Sequence, residues 1–392
     1  MSDTWRGVAL ITAWQTVASL GYYTVFAATG IIRSEFELSE LYVGLFITAT
    51  VVGYTLALLP SGSIVDAYGD RRIMIGSLLG LIVGLVGITI APSYPVLLLA
   101  GAALGAAYAP AMPASNRGIV AAAPTGHANL AMGIKQVGVT TGSAIASVLV
   151  TSLAAVAAWQ SGFLAAALVC GSFAMLFAVR YSGVRASGQV RRPDFSLLRG
   201  TAGYLPLVAA GFVVGATIYT TLSYTILYAE DVVGLGVATA GAILAATQLT
   251  GSAGRVIAGS VADQIGGVGG PLVVIATQFV GAGVLFGLLG FEPTDPRIVT
   301  LVFVGIGFSV LGSTGVFYSA LTPLVSRSAI GTATAAGQVA INIGGLVTPP
   351  LFGILVESMG YQVAWAVPAV LSLLAVGAIA QAHRQVGAVS VA

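Results

Sequence analysis

Apolar residues run along this chain in blocks of roughly twenty, separated by short polar or Pro/Gly-rich breaks. Within the blocks apolar and polar positions do not alternate. A helix needs about 20 apolar residues to cross the hydrocarbon of a bilayer, whereas a barrel strand shows about ten in alternation. The pattern therefore predicts membrane-crossing helices. Twelve blocks can be drawn, at roughly 8–31, 41–61, 73–91, 95–117, 129–152, 161–180, 204–228, 237–258, 271–290, 297–321, 332–355 and 362–382. One polar connection is long, RYSGVRASGQVRRPDFSLLRG at 180–200. It divides the chain into an N-terminal six-helix bundle (1–180), a cytoplasmic linker (181–203) and a C-terminal six-helix bundle (204–392).

Composition agrees: 57% of residues are hydrophobic, 7% are charged and the mean hydropathy is +0.99, outside the range of soluble domains. The placement of charge then fixes an orientation. With both termini inside, Arg6, Arg71, Arg72, Arg117, Arg180, Arg185, Arg191, Arg192, Arg199, Arg255, Arg327 and Arg384 fall on the cytoplasmic side. Only Arg33 and Arg297 fall outside, so the positive-inside bias supports an even number of spans in a cell (plasma or inner) membrane. The opening MSDTWRG runs into a full-length apolar block without a small-residue cleavage site, so no cleavable signal peptide is expected. Cys170, the only cysteine, lies in an apolar block and is expected to be a buried thiol.

Two stretches occur twice. GSIVDAYGDRR (Gly62–Arg72) returns as GSVADQIGG (Gly259–Gly267), with Gly62, Ser63, Asp66 and Gly69 matched 197 positions on by Gly259, Ser260, Asp263 and Gly266. KQVGVTTGS (Lys135–Ser143) returns as GQVAINIGG (Gly337–Gly345), with Gln136, Val137 and Gly142 matched 202 positions on by Gln338, Val339 and Gly344. Both repeats cross the membrane in the same direction. Parallel repeats of this kind are related by an axis along the membrane normal and place a substrate site between halves near the midplane.

The charged turn, with Gly62, Asp66, Gly69, Asp70, Arg71 and Arg72, resembles the G-x-x-x-D-x-x-G-[R/D]-[R/K]-[R/K] motif of the major facilitator superfamily of secondary transporters. The second copy keeps Gly259, Asp263 and Gly266 but has GVGG where arginines would stand. The resemblance implies an all-α membrane protein of twelve transmembrane helices in two pseudo-symmetric six-helix bundles, working by alternating access. It also implies that the turn is a conformational latch, with Asp66 facing the positive N-terminus of span 11 near Thr332. Arg71 and Arg72 can pair with Asp66 and Asp70, and Arg255 either pairs with Asp263 or snorkels to the interface. A topology-setting loop without a switching role is the plainer alternative.

Ionisable residues inside spans are functional candidates, and this chain has almost none. No Asp or Glu lies within a predicted span. Lys135, in span 5, either attracts an anionic substrate or snorkels. Substrate-binding candidates are Lys135, Gln136, Gln15, Tyr22, Tyr23, Tyr54 and Tyr108 in the first half, and Tyr219, Gln248, Tyr318, Gln338 and Asn342 in the second. Gln338 and Asn342, four apart, share one helix face. Pro110, Pro113, Pro349 and Pro350 are expected to bend spans 4 and 11.

Relative to proton-driven drug exporters, span 4 (LLLAGAALGAA) lacks their arginine and span 5 (GVTTGSAIA) lacks their proline. The reading is a secondary active transporter, not an enzyme. It moves a small organic solute, an organic anion favoured, as a symporter with a co-transported proton or ion. The alternative is a proton-coupled exporter of hydrophobic drugs or other lipophilic compounds. His127 and His383 are the only histidines, and no H-E-x-x-H, G-x-S-x-G or Walker pattern occurs. No cofactor, metal or nucleic acid is expected. The partners are the small-molecule substrate and the lipid bilayer, and the protein is expected to be a monomer.

Overall fold

The computed structural model describes residues 3–124, 128–183, 198, 200–325 and 330–391. Every regular element among them is helical. In the first half these are α1 (Asp3–Ala27), the short α2 (Thr29–Glu35), α3 (Glu40–Tyr68), α4 (Asp70–Thr89), α5 (Tyr94–Tyr108), α6 (Ala111–Ala122), α7 (Ala128–Val156) and α8 (Gln160–Arg180). The second half holds α9 (Tyr204–Asp231), α10 (Val237–Ile265), α11 (Gly269–Leu289), α12 (Pro296–Ile306), α13 (Ser313–Leu321) and α14 (Ile330–Val391). Among the described residues, nine helical stretches are long and apolar enough to cross a membrane; one of these covers 51 residues of α14. That stretch is two rods, because α14 breaks at Gly360, whose φ of 78° and ψ of 171° belong to a region only glycine occupies readily. With α1–α2, α5–α6 and α12–α13 each taken as one interrupted rod, the described chain forms twelve rods, as the apolar blocks predict.

The charged turn is tighter than a loop. Helix α3 continues to Tyr68 and α4 begins at Asp70, leaving Gly69 alone between them with φ 82° and ψ 152°. Its counterpart Gly266, after α10, has φ 74° and ψ 175°. Both copies therefore turn on a glycine conformation that a β-carbon would strain.

Packing divides the chain into two compact units. One comprises Met1–Glu37, Leu45–Arg192 and Val237–Ala245; the other comprises Leu38–Gly44, Pro193–Gly236 and Ala246–Ala392. Within each, close helix crossings depend on glycine at matched positions. A β-carbon on Gly105 would run into the Thr50 carbonyl, and one on Gly307 into the Thr247 carbonyl. Thr247 stands 197 positions after Thr50, and Gly307 stands 202 after Gly105. These are the offsets of the two sequence repeats. Likewise Gly142 of α7 lies against the Thr16 carbonyl of α1, and Gly344 of α14 against the Phe212 carbonyl of α9. Without a hydrophobic driving force between helices in lipid, such small-residue contacts carry the association.

The two units interrupt the fourth rod of each set at the same place by different means. In the first, α5 ends at Tyr108 and α6 starts after Pro110, which has no amide proton to donate. In the second, Gly312, 202 positions after Pro110, donates to the Gly307 carbonyl at 3.2 Å and closes a π-helical turn over Gly307–Leu311. Pro349 and Pro350, by contrast, remain inside continuous helix. The Tyr224 hydroxyl of α9 shares its proton between the Pro349 carbonyl (2.8 Å) and the Glu40 carbonyl (2.9 Å), all within the second unit.

Aromatic packing completes each core. Trp14 is fully buried and donates to the Met74 carbonyl at 3.1 Å. Trp365 stacks on Phe286 with centroids 5.7 Å apart. Cys170 is buried, as its apolar surroundings predict.

Candidate functional site

In the first unit, α1 places Gln15, Ser19, Tyr22 and Tyr23 along one stretch, and α3, α5 and α6 supply their partners. The Gln15 amide donates to Ser19 Oγ and to the Tyr108 hydroxyl, both at 3.3 Å. Ser19 Oγ and Tyr108 Oη lie 2.9 Å apart, and Ser115 donates to Gln15 Oε1 at 2.8 Å. Gln15, Ser19 and Ser115 have no solvent exposure. Buried polar groups need such partners, and here each member holds the next in place. Above the network, Tyr22 stacks on Tyr108 at 4.3 Å and 8° between planes. Tyr54 joins them at 5.9 and 6.0 Å, and Tyr23 lies edge-on to Tyr22 at 5.2 Å.

Lys135 of α7 lies beside this group, also without solvent exposure. Its ammonium donates to Asn116 Oδ1 at 2.6 Å and approaches Met112 Sδ at 3.6 Å. Both partners are neutral residues of α6. The neighbouring Gln136 is half-buried, and its side-chain carbonyl has no hydrogen-bond partner among the described residues.

The second unit carries a directed chain of side-chain bonds. The Tyr318 hydroxyl donates to Gln338 Oε1, and Gln338 Nε2 donates to Asn342 Oδ1 at 2.8 Å. Asn342 Nδ2 is buried at the end of this chain with no acceptor among the described residues. Gln338 and Asn342 thus share a face of α14, as their spacing predicts. Tyr219 and Gln248 are also buried in this unit.

Of the charged turn, the surroundings of Gly62 and the Asp66 side chain lie outside the described residues, as do residues 184–197, 199, 327 and His127 and the Thr332 side chain. Asp70 is described and fully buried. Its Oδ1 accepts the Arg71 amide at 2.9 Å and its Oδ2 accepts the Tyr181 hydroxyl at 2.5 Å. The Arg71 guanidinium donates to the Ala178 carbonyl, so this turn is tied to the end of α8 within its own unit. Arg117 donates to the Val65 carbonyl at 3.2 Å, and Arg72 is exposed. Burial pushes the Tyr181 hydroxyl well above its ordinary range; the bond to Asp70 and its charge add to the rise, against a smaller lowering by Arg117. In the second copy Arg255 donates to the Leu311 carbonyl at 3.0 Å, within the π-helical turn, and Asp263 is exposed.

Ser19, Ser115, Asn116 and Tyr181 belong to these constellations and are absent from the sequence candidates. The adjacent Ser115–Asn116 pair inside an apolar block was the available signal, since polar groups at that depth need partners. Tyr181 stands just past an apolar block, where nothing in the pattern links it to Asp70.

A family model described as Major Facilitator Superfamily matches residues 11–335. An uncharacterized MFS-type transporter of Mycobacterium tuberculosis is 25% identical over 345 residues, covering 86% of this chain and 75% of that protein. The probable sulfoacetate transporter SauU of Cupriavidus necator is 23% identical over 394 residues, covering 93% and 90%. Among solved structures, the nucleoside transporter NupG matches with a TM-score of 0.81 at 12% identity, covering 97% of this chain and 100% of that one, a likeness of fold. With its apolar helices, duplicated glycine turn and a family match across most of its length, this multi-pass membrane protein belongs to the Major Facilitator Superfamily of transporters.

Proposed function

We propose that the protein is a secondary active transporter of a small organic anion, moved chemically unchanged across the cell membrane by alternating access of its two six-helix halves. The observation that carries this reading is Lys135: a fully buried ammonium inside an apolar span, held by an amide oxygen and a thioether. Among the described residues no carboxylate faces it; a buried cation in that setting is costly, and an incoming anion relieves that cost. The name of the Cupriavidus relative, a probable sulfoacetate transporter, points to the same substrate chemistry.

Co-transport of a proton or ion would make the protein a symporter. Both termini are taken as cytoplasmic, on the strength of the arginine distribution, and the working unit as a monomer. The charged turn is taken as the latch: Asp66→Asn shifts the resting population toward inward-facing states. Cysteines introduced at the two mouths would report this as a changed ratio of labelling, and an unchanged ratio removes the latch.

A second reading, a proton-coupled exporter of lipophilic compounds, is favoured by the stacked tyrosines Tyr22, Tyr54 and Tyr108, an aromatic surface that suits flat apolar molecules. Counterflow in proteoliposomes separates the two. Saturable exchange of small sulfonates or carboxylates supports the first reading; exchange confined to lipophilic cations replaces it with the second.

A further inference from the structure

The first unit carries a cleft whose lining residues are separate from the Gln15 network and from Lys135. It opens beside the end of α8, between the start of α1 and the end of α6, with a volume of about 690 Å³. The small residues Gly7, Gly118, Ala121 and Ala122 line part of it. Two guanidinium groups rim it, Arg6 from α1 and Arg180 from the last turn of α8, and both residues are exposed. Among the described lining residues there is no carboxylate, and the nearby Asp70 accepts from the Tyr181 hydroxyl and the Arg71 amide.

From this cleft an apolar groove of about 400 Å³ runs back along α8. Leu176 walls both depressions, and the groove continues through Phe173, Ser172, Val169 and Leu168. Positions 168, 172 and 176 recur every fourth residue and form one stripe on the helix. Eight residues of helix rise about 12 Å, so the groove reaches well into the hydrocarbon from the charged end. Two neighbouring arginines continuous with an exposed apolar stripe of that length match one amphiphile.

We infer that this cleft binds an anionic glycerophospholipid, its phosphate between Arg6 and Arg180 and an acyl chain along Leu176, Phe173 and Leu168. The phosphate chemistry is shared with free phosphate esters, but the groove requires the lipid. Each arginine near a membrane surface contributes about fivefold to binding of an anionic headgroup.

Native mass spectrometry of the purified full chain in detergent, titrated with phosphatidylglycerol or phosphatidylcholine, tests the assignment. Phosphatidylglycerol should bind at least tenfold more tightly. Arg6→Gln with Arg180→Gln should reduce it to the phosphatidylcholine level, while Arg180→Lys should keep most of the preference. Leu176→Trp, which fills the groove without touching the charges, should also displace the lipid. Equal binding of the two lipids, or an undiminished preference in the double glutamine variant, overturns the proposal. So does displacement of phosphatidylglycerol by millimolar inorganic phosphate or glycerol phosphate alone, which would make the cleft a free-phosphate site. Should the double variant not fold, Arg180→Gln and Leu176→Trp singly decide the matter by the same readout.

Discussion

The Lys135 ammonium donates to Asn116 Oδ1 across 2.6 Å, from α7 to α6, where it has no solvent exposure and no carboxylate partner among the described residues. Lysine side chains at membrane depth usually reach for the interface, and this one does not. The amide oxygen satisfies one of three N–H groups, and the Met112 sulfur is a weak acceptor. The pair holds the amine in place with neutral partners alone. Lys135→Met keeps the apolar stem and removes the charge. Affinity for an anionic substrate should fall at least tenfold, since a charge-assisted hydrogen bond is worth about 1.5–3 kcal/mol, while the melting temperature holds or rises. Isothermal titration against a small sulfonate series checks this, and unchanged affinity would leave Lys135 a packing residue.

The matched glycine crossings give a prediction about fold. Gly105→Ala and Gly307→Ala each push a methyl group into a carbonyl of the facing helix, Thr50 in one unit and Thr247 in the other. Each should destabilise by about 1–3 kcal/mol, the usual cost of overpacking. Gly76→Ala and Gly377→Ala, where an added β-carbon meets nothing within 4 Å, should be neutral or slightly stabilising. Thermal unfolding in detergent measures all four. Equal effects at the four sites would mean that close approach at these crossings is not what holds the units together.

Much of this was legible in the chain. Apolar block length gave the rods, and the 202-residue repeat paired Gly142 with Gly344, whereas the Gly105 and Gly307 crossings emerged only from the structure. Gln338 and Asn342 lie on one face because helical spacing requires it. The length of the charged turn was not legible: a stretch with four charges reads as a loop, yet Gly69 alone breaks the helix and the rest continues as α3 and α4. Nor were the pairings of Asp70 with Tyr181 and Lys135 with Asn116, 111 and 19 residues apart in sequence. Such contacts depend on how helices are rotated against each other, which single-helix periodicity does not encode. Asn116 itself hid beside Arg117, whose charge reads as the end of the span.

The Asp70–Tyr181 bond predicts an alkaline signature. Tyr181 has its pKa raised in the folded protein, first by burial and then by the neighbouring Asp70 carboxylate. The unfolded chain releases this proton near pH 10 while the folded one keeps it. The stability it contributes is therefore complete below about pH 10 and is lost as the pH rises further, by at most about 1.4 kcal/mol per pH unit. Tyr181→Phe should cost about 1.5–3 kcal/mol at pH 8, and the gap to the natural protein should narrow between pH 10 and 11. Urea unfolding at fixed pH values checks it; a gap independent of pH would show that the hydroxyl does not titrate as argued.

Asn342 should behave in the opposite sense from most buried polar residues. Its Oδ1 accepts from Gln338, but its Nδ2 is buried without an acceptor among the described residues, and a stranded donor costs about 1–3 kcal/mol. Asn342→Leu removes that donor and keeps the volume, but it also strands Gln338 Nε2, so the net change in the empty protein should be small, within about 1 kcal/mol. An anionic substrate supplies the acceptor that Asn342 lacks, so its binding should weaken by about tenfold in the variant. Asn342→Asp reverses the electrostatics: the carboxylate still accepts from Gln338 but repels an anion, and binding should fall further than in the leucine variant. If the order of affinities is natural protein, leucine, aspartate, Asn342 meets the substrate as a donor. If aspartate binds as well as asparagine, the unsatisfied amide is a cost of packing and the anion is held elsewhere.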